Sequence, residues 1–335
     1  MPDRQTALTA FLTSAGWGNA TRAPLAGDAS NRRYERVTLD GAPAVLMDAP
    51  PEKGEDIRPF VAIAQHLSAL GLSAPQIMAQ DVDHGFLLLE DLGDGLFARL
   101  MDQDPSQERA LYIAAVDALI KLHAQPAPDW VPDYGPKTMT QVAGLAWDWY
   151  AKGITSTTEG RDTALVKLGK LLDETACDPV LVLRDYHAEN LLWLPDRDGV
   201  ARVGQLDFQD AGAGHPAYDL MSLAEDARRD VDPALARDMI DHYIAQTGQD
   251  PDAFHLAAAT CAAQRNLRIL GVFARLSLHF GKPGYVDLIP RVWDLLQRDL
   301  SHPRLAALRD ACILPAPTPE NLQTLRDKCA TIPTL

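Results

Sequence analysis

Three polar side chains interrupt the most apolar β-like stretch of the chain, residues 180–208: Asp185, Asn190 five positions on, and Asp207. After Asn190 come a short apolar run, the turn residues Pro195-Asp196-Arg197-Asp198-Gly199 and a second apolar run over 201–206. That pattern predicts a hairpin returning Asp207 to the neighbourhood of Asn190. A carboxylate and an amide oxygen brought together make a hard-oxygen site suited to Mg²⁺, which keeps several waters and bridges phosphates. Asp185, not needed for metal, can take the proton of an attacking hydroxyl. These are the parts that phosphoryl transfer asks for: a positioned nucleophile and neutralised phosphate charge. Turn-capping would explain each polar residue singly, but not why all three break one apolar segment.

A second group with chemical potential is Trp147-Asp148-Trp149-Tyr150. Aromatic faces beside a carboxylate suit the C–H surface and hydroxyls of a sugar, although on a helix part of the group belongs to the core. Trp147 and Asp148 are therefore candidate acceptor contacts. The cysteines (Cys177, Cys261, Cys312, Cys329) have no CxxC or Cys/His metal spacing and read as free thiols of a cytoplasmic protein.

The elements that must position these residues divide by character. In the first 95 residues short β-like runs dominate, at 22–25, 34–39, 43–47, 76–80 and 86–90, with an Asp40-Gly41 hairpin turn. One helix is inserted, with apolar positions Ile57, Phe60, Val61, Ala64, Leu67 and Leu70, capped by Asp56 and ended by Gly71. A short amphipathic helix precedes the first strand. Beyond Gly95 helices are expected at 110–123, 141–152, 162–175, 217–229, 233–247, 253–280, 286–299 and 319–330, with a flexible loop over 212–216. The expectation is an α+β protein: a small antiparallel-sheet lobe, 1–95, and a mostly helical lobe, 96–335, with a ligand cleft between them. The chain has 335 residues and a net charge of −15, which disfavours nucleic acid and anionic membranes as partners. It has neither a signal-like N-terminus nor an apolar run long enough to span a bilayer.

The segment Arg184-Asp185-Tyr186-His187-Ala188-Glu189-Asn190 resembles the catalytic loop of the protein-kinase-like superfamily, in its aminoglycoside phosphotransferase and choline kinase branch. Leu206-Asp207-Phe208 resembles its metal-binding segment, and Tyr218-Asp219-Leu220-Met221-Ser222-Leu223 the following helix, whose Asp braces that loop. Gly27-Asp28-Ala29-Ser30-Asn31-Arg32-Arg33-Tyr34, Met47-Asp48-Ala49-Pro50-Pro51, Asp207-Phe208-Gln209-Asp210-Ala211 and Gln264-Arg265-Asn266-Leu267-Arg268 look like one subgroup. That subgroup is the bacterial anomeric kinases, which phosphorylate N-acetylmuramate and N-acetylglucosamine at C1 in cell-wall recycling.

The resemblance implies a bilobal kinase-like fold, ATP and Mg²⁺ as cofactors, Asp185 as catalytic base and Asn190 and Asp207 as metal ligands. It implies nucleotide contacts from Gly27, Ser30, Arg32 and Arg33 at the phosphate-covering turn, and from Glu90 and Leu92, where the lobes join and main chain can meet adenine. Trp147, Asp148, His187 and Arg265 are the candidates for the small-molecule acceptor, though His187 can also pack behind the loop and Arg265 can also pair with internal acids. The enzyme implied is a monomer or weak dimer. One departure matters: Met47 stands where the phosphate-holding strand lysine is expected, so Arg32, Arg33 or Lys53 must supply charge. Two alternatives stay open, a kinase of another acceptor such as an aminoglycoside or choline, and a nucleotide-binding pseudokinase acting as a partner protein.

Overall fold

A computed structural model describes residues 3–25 and 31–332; Gly27 and Ser30 lie outside the described residues. By density of internal contacts the chain separates into two units, Met1–Leu122 with Ala188–Ala211, and His123–His187 with Gly212–Leu335.

The first unit is built on a five-stranded antiparallel sheet: β1 (Thr21–Pro24), β2 (Arg33–Leu39), β3 (Ala42–Asp48), β4 (Ile77–Asp81) and β5 (Phe86–Glu90), in the order β1-β2-β3-β5-β4. Asp40 and Gly41 join β2 to β3 with φ of 50° and 84°, the positive pair that tight hairpin turns need and that Asp-Gly supplies at low cost. Alternation then sorts the side chains. Val37, Ala44, Leu46, Phe86 and Leu88 form one face and pack on Leu8, Phe11 and Leu12 of the helix Arg4–Ser14. On the opposite face Met47 is fully buried, in register with Tyr34 on β2 and Leu87 on β5.

The helix Arg58–Ala69, whose buried residues are Phe60, Ile63, Ala64 and Leu67, is not capped by Asp56 as expected: Ile57 is its N-cap, and Asp56, one residue earlier, accepts the Arg58 amide at 2.9 Å. Ile63 takes the core place expected of Val61, which is half-buried.

Four short strands complete the sheet structure of the described residues: β6 (Val180–Val182), β7 (Leu191–Trp193), β8 (Val203–Gln205) and β9 (Gly212–Gly214). The expected hairpin is present as β7 and β8, Leu191 pairing with Gln205 and Trp193 with Val203. Ser73 holds it: its carbonyl accepts the Gln205 amide at 2.7 Å, and its hydroxyl donates to the Ala201 carbonyl at 2.6 Å.

The second unit is mostly helical. Its longest helix, Pro251–Leu278, has Asp250 as a side-chain cap on the Ala253 amide. Gly271 lets this helix press on the Leu145 backbone, where a Cβ has no room. Three expectations are corrected. Within the expected flexible loop 212–216, Gly212–Gly214 is a strand, β9, paired antiparallel with β6. The helix expected over 217–229 is Ala217–Ala224. The one expected over 141–152 breaks into Pro136–Ala143, a π-turn Ala146–Ala151 and Lys152–Thr155. No helix among the described residues is long and apolar enough to cross a membrane.

Candidate active site

In the first unit, the β7–β8 hairpin sets Asn190 just before one strand and Asp207 just after the other. The Leu206 amide donates to the Asn190 carbonyl at 2.9 Å, closing the hairpin's open end. Asn190 Nδ2 then stands 3.5 Å from Asp207 Oδ2. Asp207 has φ of 57°, a left-handed conformation that Asp tolerates better than most residues. Gln209 Nε2 donates to Asp207 Oδ1 at 2.6 Å, and its own Oε1 is buried without a partner among the described residues. Phe208 points its ring at Phe60, centroids 4.8 Å apart, and so ties this turn to the helix Arg58–Ala69.

Asn190 and Asp207 line a cavity of about 310 Å³ whose wall also includes Tyr34, Val45, Leu89 and Leu92. Among the described residues no three His, Cys, Asp or Glu side chains gather as a metal cage. Mg²⁺ does not need one: a carboxylate and an amide oxygen, completed by waters and phosphate oxygens, fit its habit. Asn190 and Asp207 therefore suit that ion.

Glu90 lines the same cavity with its carboxylate already engaged, by Arg197 and by the Gln76 amide at 3.2 Å. What Glu90 and Leu92 can offer a flat heterocycle is main chain. Arg36, which sequence reasoning passed over, donates to Asp91 at 2.5 and 3.1 Å and to Asp94 at 3.0 and 3.1 Å on the cavity rim. Arg33 and Lys53 are exposed, while Arg32 is ion-paired to Glu55 at 2.8 Å.

In the second unit the loop carrying Asp185 is fixed from below. Asp219, fully buried on the helix Ala217–Ala224, accepts the Leu183 amide at 2.6 Å and the Arg184 amide at 2.8 Å. Burial pushes the Asp219 carboxyl up to about 7 against those two donors. Arg184 takes φ of 72° as the chain turns into Asp185. Burial would raise the Asp185 carboxyl too, but the charges of Arg268, His187, Arg184 and Arg265 outweigh it and hold it below the usual carboxylate range. His187 is itself pushed down to about 4, by burial first, so at neutral pH the arginines carry this effect. Arg228 donates to His187 Nε2 at 3.1 Å, which leaves the neutral ring's proton on Nδ1. Behind Asp185, Arg268 reaches the Tyr218 hydroxyl at 3.5 Å, Tyr134 donates to that hydroxyl at 3.1 Å, and Arg184 lies 4.6 Å over the Tyr134 ring.

The acceptor candidates separate. Arg265 is buried and donates to the Glu225 carbonyl at 3.0 Å, within electrostatic reach of Asp185. Trp147 is fully enclosed and packs as a core side chain, so its ring offers no open face to a sugar. Asp148 is half-buried and held by Arg161 at 2.9 and 3.2 Å.

Sequence reasoning missed a cavity of about 560 Å³ in this unit, lined by Asp226, Arg229, Asp230, Arg291, Asp294 and Arg298, among others. Asp226 is 2% exposed; its Oδ1 accepts the Arg228 amide at 2.8 Å, and its Oδ2 has no partner among the described residues. The available signal was the run Glu225-Asp226-Ala227-Arg228-Arg229-Asp230, too charged to continue the apolar helix before it.

Residues 21–256 match the model of a phosphotransferase enzyme family. An N-acetylmuramate/N-acetylglucosamine kinase of Caulobacter vibrioides is 36% identical over 92% of this chain and 95% of its own. One of Pseudomonas aeruginosa is 34% identical over 90% and 91%. Among solved structures, a choline kinase of Streptococcus pneumoniae matches with a TM-score of 0.61 at 14% identity, covering 91% of this chain and 99% of that one. At that identity the likeness establishes the fold, which is protein-kinase-like.

Proposed function

From the premise that this chain belongs to the phosphotransferase enzyme family and is a phosphotransferase, we propose that it moves the γ-phosphoryl of ATP, with Mg²⁺, to the anomeric hydroxyl of an amino sugar. The acceptor class is that of its relatives, N-acetylmuramate and N-acetylglucosamine. Asn190 and Asp207 would hold Mg²⁺, which supplies charge neutralisation at the phosphates when bound. Asp185 orients the acceptor hydroxyl and takes its proton. In this reading residues 1–95 cover the nucleotide and 96–335 carry the catalytic loop and acceptor site. The protein works in the cytoplasm as a monomer or weak dimer.

The observation that carries the reading is the state of Asp185: a buried carboxylate on a loop pinned by Asp219, kept ionised by the surrounding arginines. An anomeric hydroxyl is more acidic than an ordinary alcohol, so a base of depressed pKa suits it better than it suits a simple alcohol. Its acceptor would reach from the Asp226 cavity to Asp185, flanked by His187, which accepts from Arg228, and by Arg265, which donates to the Glu225 carbonyl. The cavity's mixed lining of Asp226, Asp230 and Asp294 with Arg229, Arg291 and Arg298 suits a polyhydroxylated amide better than a polycation. That weighs against an aminoglycoside or choline-like acceptor. One observation favours the pseudokinase alternative, the buried Met47 at the lysine position.

A coupled ADP-release assay with ATP and Mg²⁺ over N-acetylmuramate, N-acetylglucosamine, kanamycin, choline and no acceptor tests the proposal. Turnover is expected on the first two; ATP binding with silence on all would turn the assignment to the pseudokinase. The pH profile gives a further expected outcome. A base works deprotonated, so activity falls as pH drops through its pKa. Arg268→Gln removes the largest charge opposing Asp185's burial, and the acid limb of kcat/KM should move to higher pH than in the wild type. An unmoved limb would mean that Asp185 is not the titrating base.

A further inference from the structure

A triphosphate brings several negative charges to a chain whose own net charge is −15, next to the Asp207 carboxylate. Mg²⁺ offsets part of that charge, and the usual strand lysine is replaced by Met47, an uncharged and fully buried side chain. Some other cation has to face the phosphates.

Few candidates remain. Arg33 and Lys53 are exposed, where water and salt screen their charge. Arg36 and Arg99 line the cavity at its Asp91–Asp94 end, where Arg36 pairs with both carboxylates and Arg99 is exposed near Asp94. Both therefore serve the end of the cavity beyond β5. Tyr34 lies two residues from Arg36 along β2, about 6–7 Å further on at the usual rise per residue. It is opposite Met47 and also lines the cavity.

Arg32 is next to Tyr34's side chain, with which it shares a hydrogen bond, and is half-buried. Its Nε donates to Glu55 Oε2 at 2.8 Å, both side chains being 12% exposed. Glu55 also accepts the Asn31 amide at 3.1 Å, so one carboxylate fixes both the chain and the guanidinium. This is the arrangement by which kinases hold a phosphate-binding lysine with a glutamate, here built from β2's entry instead of from β3. Resting on the nucleotide reading above, we infer that Arg32, held against Tyr34 by Glu55, is the cation that grips the triphosphate in place of the missing strand lysine.

The inference is tested by calorimetric titration of the full chain with ATP, ADP and adenosine, in the presence of Mg²⁺. A charge-assisted contact to phosphate contributes about 1.5–3 kcal/mol, or roughly 10–100-fold in affinity. Arg32→Ala is expected to weaken ATP and ADP by that factor and to leave adenosine unchanged, with Arg32→Lys intermediate. Because Arg32→Ala leaves Glu55 buried and unpaired, the double variant Arg32→Ala/Glu55→Gln is measured alongside and should show the same selective loss. Equal weakening of adenosine and ATP, or no weakening of either, would overturn the assignment of Arg32 while the nucleotide reading stood. Wild-type protein that binds neither ATP nor ADP would instead overturn the nucleotide reading, and this inference with it.

Discussion

Asp207→Ala is expected to abolish turnover, lowering kcat by about three orders of magnitude or more, with the chain still folded. Asp207 is the carboxylate of the proposed Mg²⁺ site, and Asn190, 3.5 Å away, is a neutral amide that cannot compensate for its charge. Alanine at φ of 57° is strained by about 1–2 kcal/mol, which is small beside the stability of a domain of this size. Asp207→Asn removes the charge while keeping a residue that tolerates the left-handed conformation, and should be nearly as inactive. Steady-state kinetics with circular dichroism and Tm separate the two effects. An Asp207→Asn enzyme of full activity would end the role proposed for this carboxylate.

Asp185→Asn should be next in size. Loss of a positioned general base typically costs 10²–10⁴-fold, and the acidity of an anomeric hydroxyl places the expected fall in kcat toward the lower part of that range. The amide keeps the shape of the carboxylate among Arg268, Arg184 and Arg265, so the KM for ATP should hardly change. A variant in which KM for ATP rises and kcat is preserved would make Asp185 a nucleotide-side residue, contrary to its proposed role.

Much of this was legible in the residues because local chemistry and tertiary structure agree there. Asp40-Gly41 satisfies a turn that demands two positive φ values, and the apolar runs around Pro195-Asp196-Arg197-Asp198-Gly199 pair as β7 and β8. What escaped depended on partners distant in sequence. Gly212-Ala213-Gly214 has a single methyl group and so nothing to announce a strand; it becomes one by lying against β6. The π-turn at Ala146–Ala151 defeats a period of 3.6 and turns Trp147 into the core, where spacing alone left it a sugar contact. The cavity at Asp226 gathers residues from 224–233 and 287–298, and no short-range pattern joins those segments. Asp219 shows the opposite case. Its bracing role came from resemblance, and the geometry supplies the two hydrogen bonds that make it physical.

The central claim is that phosphate is placed on the anomeric oxygen of an amino sugar. Its most direct test is ³¹P and ¹H NMR of the product made from ATP, Mg²⁺ and N-acetylglucosamine. The account predicts a sugar 1-phosphate, with the phosphorus coupled to the anomeric proton and no product from a sugar blocked at C1. Phosphate at C6, or ADP release that continues unchanged with the C1-blocked sugar, would contradict it.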